Sequence, residues 1–202
     1  MAEAMLTKRF PLAGIMVPGR HGKPGGKAGV TIRVIDEIAI AQVSARKGQN
    51  VALLQVLARM FGAPVADQPQ RVARDTLSIT GISPGQWRLV VRGHDSEATL
   101  RTAIAELQES AVVTELGDGV FLADISGPRA RATLAKGIAI DLHPGAFKVG
   151  AAAQTSASQI GLHLALIDDK PTFEMISAAS TAGSLWSWLT SSCGEYGYDI
   201  SV

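Results

Sequence analysis

Apolar and polar positions recur along this chain at two periods, and the switches between them mark the elements. Residues 31–43 (TIRVIDEIAIAQV) mix β-branched residues with partial alternation, which predicts a strand, or two short strands broken at Asp36–Glu37. A helix then opens at Ser44 or Lys47, reaches Phe61 and is stopped by Gly62 and Pro64. Two apolar stripes run along it: Val51, Leu54, Ala58 and Phe61 on one side, Leu53, Val56 and Met60 nearly opposite. A helix apolar on two sides is buried on two sides. One side is expected on the helix's own sheet, the other against a second lobe or another chain.

Residues 62–75 are predicted as a loop. Residues 76–80 and 86–92 form a hairpin around a turn with Pro84 and Gly85. Asp95 or Ser96 caps a helix to Gln108, with Leu100, Ala103, Ile104 and Leu107 inward. A second hairpin is expected over 111–115 and 120–125, followed by a helix capped at Ser126. Strands over 149–155 and 159–167 pair, and 172–176 is another strand. In the last helix, 180–192, Ala182, Leu185, Trp186, Leu189 and Cys193 share one face. Trp188 sits well off that face, so it is either a partial cap at the domain edge or an interface anchor. A strand, a turn holding proline, a strand and an amphipathic helix occur twice, ISPGQWRLVV preceding one helix and DDKPTFEMIS the other. The expected fold is α+β: two small α/β lobes, at 30–110 and 111–202, with antiparallel or mixed sheets covered by helices.

Residues 1–29 behave as a flexible arm. The stretch PGRHGKPGGKAG holds Arg20, Lys23 and Lys27 among too many Gly and Pro residues for a helix or strand interior. An anion-binding loop is the sharper reading, but the phosphate-loop spacing is missing. A third is an arm that orders across a partner.

With 202 residues, 47% hydrophobic and 18% charged, the chain is long enough for a core without disulfides, and its low charge points to apolar surface covered by a partner. A net charge of +1 gives no global field toward nucleic acid. No apolar run approaches the roughly 20 residues of a membrane span, and no signal peptide is read, so a cytoplasmic location is expected. The single cysteine, Cys193, lies near a helix C-terminus, where the dipole disfavours a thiolate. His21, His94, His143 and His163 make no metal-ligand pair. His163 lies in an apolar strand and is read as a hydrogen-bonded structural histidine. No catalytic, cofactor-binding or metal-ligating residue is assigned. Leu53, Val56, Met60 and Trp188 are the candidate partner-interface residues.

A series of motifs, in order along nearly the whole chain, resembles the γ subunit of heterotetrameric sarcosine oxidase. They are PLAG near Pro11, PGRHG from Pro18, PGQW from Pro84, SGPRARATLAKG from Ser126, DLHPGAF from Asp141, GAAAQT from Gly150, PTFE from Pro171 and SLWSWL from Ser184. The resemblance implies an aminomethyltransferase-like fold and a non-catalytic subunit beside α, β and δ subunits. Those partners would carry FAD, FMN, NAD, tetrahydrofolate and zinc, and the complex would demethylate sarcosine oxidatively. Related folate-binding proteins have a cysteine where this chain has Ala151, so chemistry carried by that cysteine does not transfer. The alternatives are a stand-alone folate-binding or aminomethyltransferase-like protein, or the equivalent subunit acting on another N-methyl amino acid.

Overall fold

The computed structural model describes residues 11–202. In chain order the elements are β1 (Gly19–His21), β2 (Val30–Val34), β3 (Ile38–Ala45), α1 (Asn50–Phe61), β4 (Arg71–Arg74), β5 (Leu77–Ser83), β6 (Gln86–Arg92), α2 (Ser96–Leu107), β7 (Ala111–Glu115), β8 (Val120–Ser126), α3 (Ala130–Leu134), β9 (Ala152–Ala157), β10 (Ile160–Asp168), β11 (Thr172–Ala178), α4 (Ala182–Cys193) and β12 (Tyr198–Ser201). They make two sheets. The larger runs β1-β12-β2-β8-β11-β10-β9 and the smaller β4-β5-β6-β3-β7. Every named pair is antiparallel except β12 on β2, which makes the larger sheet mixed.

Alternation in the strands sorts side chains to two faces. In β6, Trp87, Leu89 and Val91 join α1 and α2 in one core, whereas Val90 faces the other sheet. In β8, Phe121, Ala123 and Ile125 join α3 and α4 in the larger core, whereas Leu122 faces back. Ile40, Val90, Leu122 and Ile176 meet between the sheets as a small third cluster. The order of layers is therefore helices, smaller sheet, larger sheet, helices, with α1 and α4 on opposite outer faces.

The break expected at Asp36–Glu37 is where the chain leaves one sheet for the other. It returns through 116–119. The hairpin expected over 111–125 does not form: β7 pairs β3 and β8 pairs β2 and β11. Local turn chemistry at Leu116–Gly119 looked like a hairpin, but each strand finds its apolar partner in a different sheet. The smaller lobe is consequently a single insertion between the neighbouring strands β2 and β8. Residues 30–34, expected in the first lobe, belong to the larger sheet, and 111–115, expected in the second, to the smaller.

The segment expected as a flexible arm has fixed partners over most of its described length. Its first ten residues lie outside the described residues. Leu12 is fully buried in the larger core, and Gly19, Arg20 and His21 pair with Ile200, Asp199 and Tyr198. β12 came from a stretch with no strand expectation; it fills the slot between β1 and β2, so the two ends of the chain hold each other. The loop expected over 62–75 contains the short strand β4, an edge with half-buried and exposed residues and hence no clean alternation.

Candidate functional site: the charged seam between the sheets

The seam is polar where it is not filled by the four-residue cluster. Glu174 sits in mid-β11 between Phe173 and Met175, which point to the helices, so the pleat aims its carboxylate at the smaller sheet. It is fully buried. Asp124 of β8 is directly opposite it in register. Two like charges cannot share a buried ladder position unaided. Two arginines from the smaller sheet answer them. Arg92, at the end of β6, donates to Asp124 Oδ2 at 2.6 Å and Oδ1 at 2.8 Å, and to Glu174 Oε2 at 2.6 Å. Arg71 of β4 donates through Nε to Glu174 Oε1 at 3.3 Å.

The four charges are a clamp across the layers. Burial alone would push the Glu174 carboxyl up, but Arg71 and Arg92 outweigh it and hold it below its ordinary value. Burial works against the Arg92 cation in turn, and the hydrogen bond and charge of Asp124 with the charge of Glu174 reverse that and raise it. Both carboxylates are thus engaged by arginine.

His163 lies on β10, on the same side as Ile176 opposite it in register. It is 3% exposed, and neither ring nitrogen has a hydrogen-bond partner among the described residues. The expectation of a buried histidine holds, but the expected hydrogen bond is not there. Burial first, then the Arg88 and Arg71 cations, lower its pKa to about 4 against the opposing pull of Glu174. It is a neutral ring in the seam. Cys193 is buried as well, and desolvation pushes its thiol up to about 12, which suits a packed side chain and not a nucleophile.

An open cleft of about 580 Å³ lies where the 35–38 and 117–122 crossovers meet the start of α2. At its rim His94 Nδ1 stands 3.6 Å from Glu37 Oε1, and Arg101 pairs with Glu97 at 3.8 Å. No group of three or more metal-ligating side chains occurs among the described residues. None of their helices is long and apolar enough to cross a membrane.

The candidate interface residues are not brought together. Leu53 is fully buried in the smaller core with Leu57 and Phe61. Leu57 explains the difference. At about 100° per residue it falls midway between Leu53 and Phe61 and joins the two supposed stripes into one inward face. Leu53 is therefore core and out of a partner's reach, while Val56 and Met60 are half-buried at its margin and Val51 is 69% exposed. Trp188 is half-buried on the far side of the molecule. Its indole covers Gly137, where a Cβ would come within 2.5 Å of Nε1.

A family model described as sarcosine oxidase, gamma subunit, matches residues 46–195. The chain belongs to the sarcosine oxidase gamma subunit family. Among solved structures, it is similar to a chain of heterotetrameric sarcosine oxidase from Corynebacterium sp. U-96, in complex with pyrrole 2-carboxylate. Identity is 22% and the TM-score 0.71, over 85% of this chain and 87% of that one. It is also similar to the glycine cleavage system aminomethyltransferase T of Bartonella henselae, at 15% identity and a TM-score of 0.61. That match covers 87% of this chain and 48% of the aminomethyltransferase, so the chain spans about half of its length. No curated protein sequence matches. The α+β, aminomethyltransferase-like fold expected from the sequence is the fold of this gamma subunit family member.

The structure gives two of the family-like motifs a shared physical role. Arg131, in SGPRARATLAKG, donates to the Leu142 and Phe147 carbonyls of DLHPGAF and lies 5.2 Å over the Phe173 ring. Phe147 stacks on Phe173 at 6.3 Å. Together they seat the 141–147 turn on the larger core, behind the strand that carries Glu174. Sequence reasoning missed Arg71, Arg92, Asp124 and Glu174. The available signal was a charge at each of several inward strand positions, Glu174 most plainly, flanked by apolar residues whose faces were already assigned.

Proposed function

We propose that this chain is a non-catalytic γ subunit of a heterotetrameric oxidase that converts sarcosine, oxygen and water to glycine, formaldehyde and hydrogen peroxide, or passes the methyl carbon to tetrahydrofolate. The observation that carries this reading is the family match over 46–195. The seam supports it, since its buried Glu174 and half-buried Asp124 are taken up by arginines and serve to join layers. In this reading the α, β and δ partners hold FAD, FMN, NAD, tetrahydrofolate and zinc. The chain contributes a rigid two-sheet body, with Val56, Met60 and Trp188 at the margins where partners would pack. In this reading the complex is cytoplasmic.

Affinity capture of the chain from its native cells tests this. The expected product is a yellow complex of four different subunits that forms hydrogen peroxide from sarcosine. A colourless monomer that binds reduced folate at micromolar concentration would overturn it in favour of a stand-alone folate-binding protein. A yellow complex preferring another N-methyl amino acid would correct the substrate and keep the subunit role.

A further inference from the structure

The basic Gly/Pro-rich stretch before β2 is seated on the end of α4 and on the start of α3. Lys23 N–H donates to the Gly194 carbonyl at 3.0 Å, Gly29 N–H to the Gly197 carbonyl at 2.9 Å, and Arg129 N–H to the Gly29 carbonyl at 2.9 Å. Gly29 runs so close to this support that a Cβ there would stand 2.8 Å from Tyr196 Cβ. The stretch is a strap with a fixed course, and its course gathers charge. Tyr196 has the Arg129 guanidinium 5.6 Å from its ring centroid and the Lys136 ammonium at 4.6 Å. Lys23 and Lys27 project from the strap, exposed and without an ion pair among the described residues. Arg20 stands beside them, 3.8 Å from Asp199. Lys136 is bound to Glu195 at 2.5 Å. Five cations thus meet two carboxylates on one face of a chain whose net charge is only +1.

Apolar surface borders this charge. Val17 is 61% exposed, and its carbonyl takes a 2.7 Å hydrogen bond from His21, which stacks on Tyr198. A polyphosphate would leave the exposed Val17 side chain in water. A protein segment with carboxylates and a few apolar side chains satisfies the whole face. We infer that the strap face, centred on Lys23, Lys27 and Arg129 around Tyr196, is the docking surface for an acidic segment of a partner subunit. This rests on the subunit reading above, and the test separates the two.

The Lys23 and Lys27 side chains are exposed and the backbone contacts of Lys23 survive substitution, so K23E/K27E should melt like the wild type; R129E is the second variant. Complexes captured on wild-type chain and on each variant are washed with rising salt. The purified chains are separately titrated with poly-L-glutamate, with anionic phospholipid vesicles and with single-stranded RNA. The expected result is that K23E/K27E releases its partners at lower salt, with affinity down about tenfold. Poly-L-glutamate should bind the wild type, salt-dependently, and not the variant. If the wild type captures partners and K23E/K27E and R129E retain them with an unchanged salt dependence, the inference is overturned. Binding to vesicles or RNA without binding to poly-L-glutamate also overturns it. If the wild type captures no partners but still binds poly-L-glutamate through Lys23 and Lys27, the subunit reading fails while the acidic-segment surface stands.

Discussion

At the scale of residues, the clamp makes definite demands. Replacing Arg92 with methionine leaves Asp124 without its bidentate partner and Glu174 with Arg71 alone, in a place where Glu174 has no access to water. Breaking a buried ion pair from one side costs about 3–5 kcal/mol, most of it the desolvation of the charge left behind. R92M should lose that much in urea unfolding, and a loss below about 1 kcal/mol would show that water reaches the seam. His163 sets a pH dependence with a known sign. Its folded pKa, about 4, lies below the ordinary 6.5 of the unfolded chain, so between those values the unfolded state holds more protons. Stability therefore falls as pH drops from 6.5 to 4, by about 3 kcal/mol in all. Glu174 acts in the same direction lower down, since its depressed pKa gives stability that is complete above its ordinary 4.5 and lost as pH falls through the folded value. H163L should flatten the decline between pH 6.5 and 4 and leave the lower one in place, as read by urea midpoints across that range.

Single elements show what was legible in the chain and what was not. The hairpin of β5 and β6, both long amphipathic helices after it and the β9–β10 pair are present because each carries a clean local period, and α4 buries the face its wheel gives. The crossover at 116–119 was not legible, because two adjacent strands with a glycine turn look the same whether they pair with each other or part. Likewise β1 and β12 are short strands whose stability comes from the opposite end of the chain, and no local pattern records that. Helix α1 is a third case, where leaving out Leu57 divided one inward face into two. That correction has a measurable consequence. An aspartate at Leu53 places a carboxylate in a closed apolar core and should cost more than about 4 kcal/mol. M60D, at the half-buried margin, should cost about 1–2 kcal/mol. Thermal melts of the isolated chain would rank the two, and an L53D chain as stable as M60D would mean that Leu53 faces outward after all.

For the whole molecule, the order of layers decides how the two lobes depend on each other. The smaller lobe is inserted between β2 and β8, strands that lie side by side, so its attachment is two crossovers and one sheet-to-sheet seam. The fully buried apolar part of that seam is four side chains, each worth about 1.5–3 kcal/mol when withdrawn from water, with Ile35, Ile38, Leu116 and Val120 packed half-buried at its edge. The rest is the clamp and the backbone bonds beside it, Arg71 N–H to the Gly150 carbonyl at 2.8 Å and Ala152 N–H to the Pro69 carbonyl at 3.0 Å. Removing both arginines, in R71M/R92M, takes away every donor that crosses to Glu174 and leaves two carboxylates facing each other. The wild-type chain should unfold in one transition, and the double variant in two, with the smaller lobe first because its core is the smaller and it loses both donors. The tryptophans separate the lobes: Trp87 is fully buried in the smaller core, and Trp186 and Trp188 belong to the larger. In urea, a W186F/W188F background follows the first lobe through Trp87, and a W87F background follows the second. Coincident midpoints in R71M/R92M would mean that the apolar cluster and the backbone bonds between residues 69–71 and 150–152 couple the sheets without the clamp.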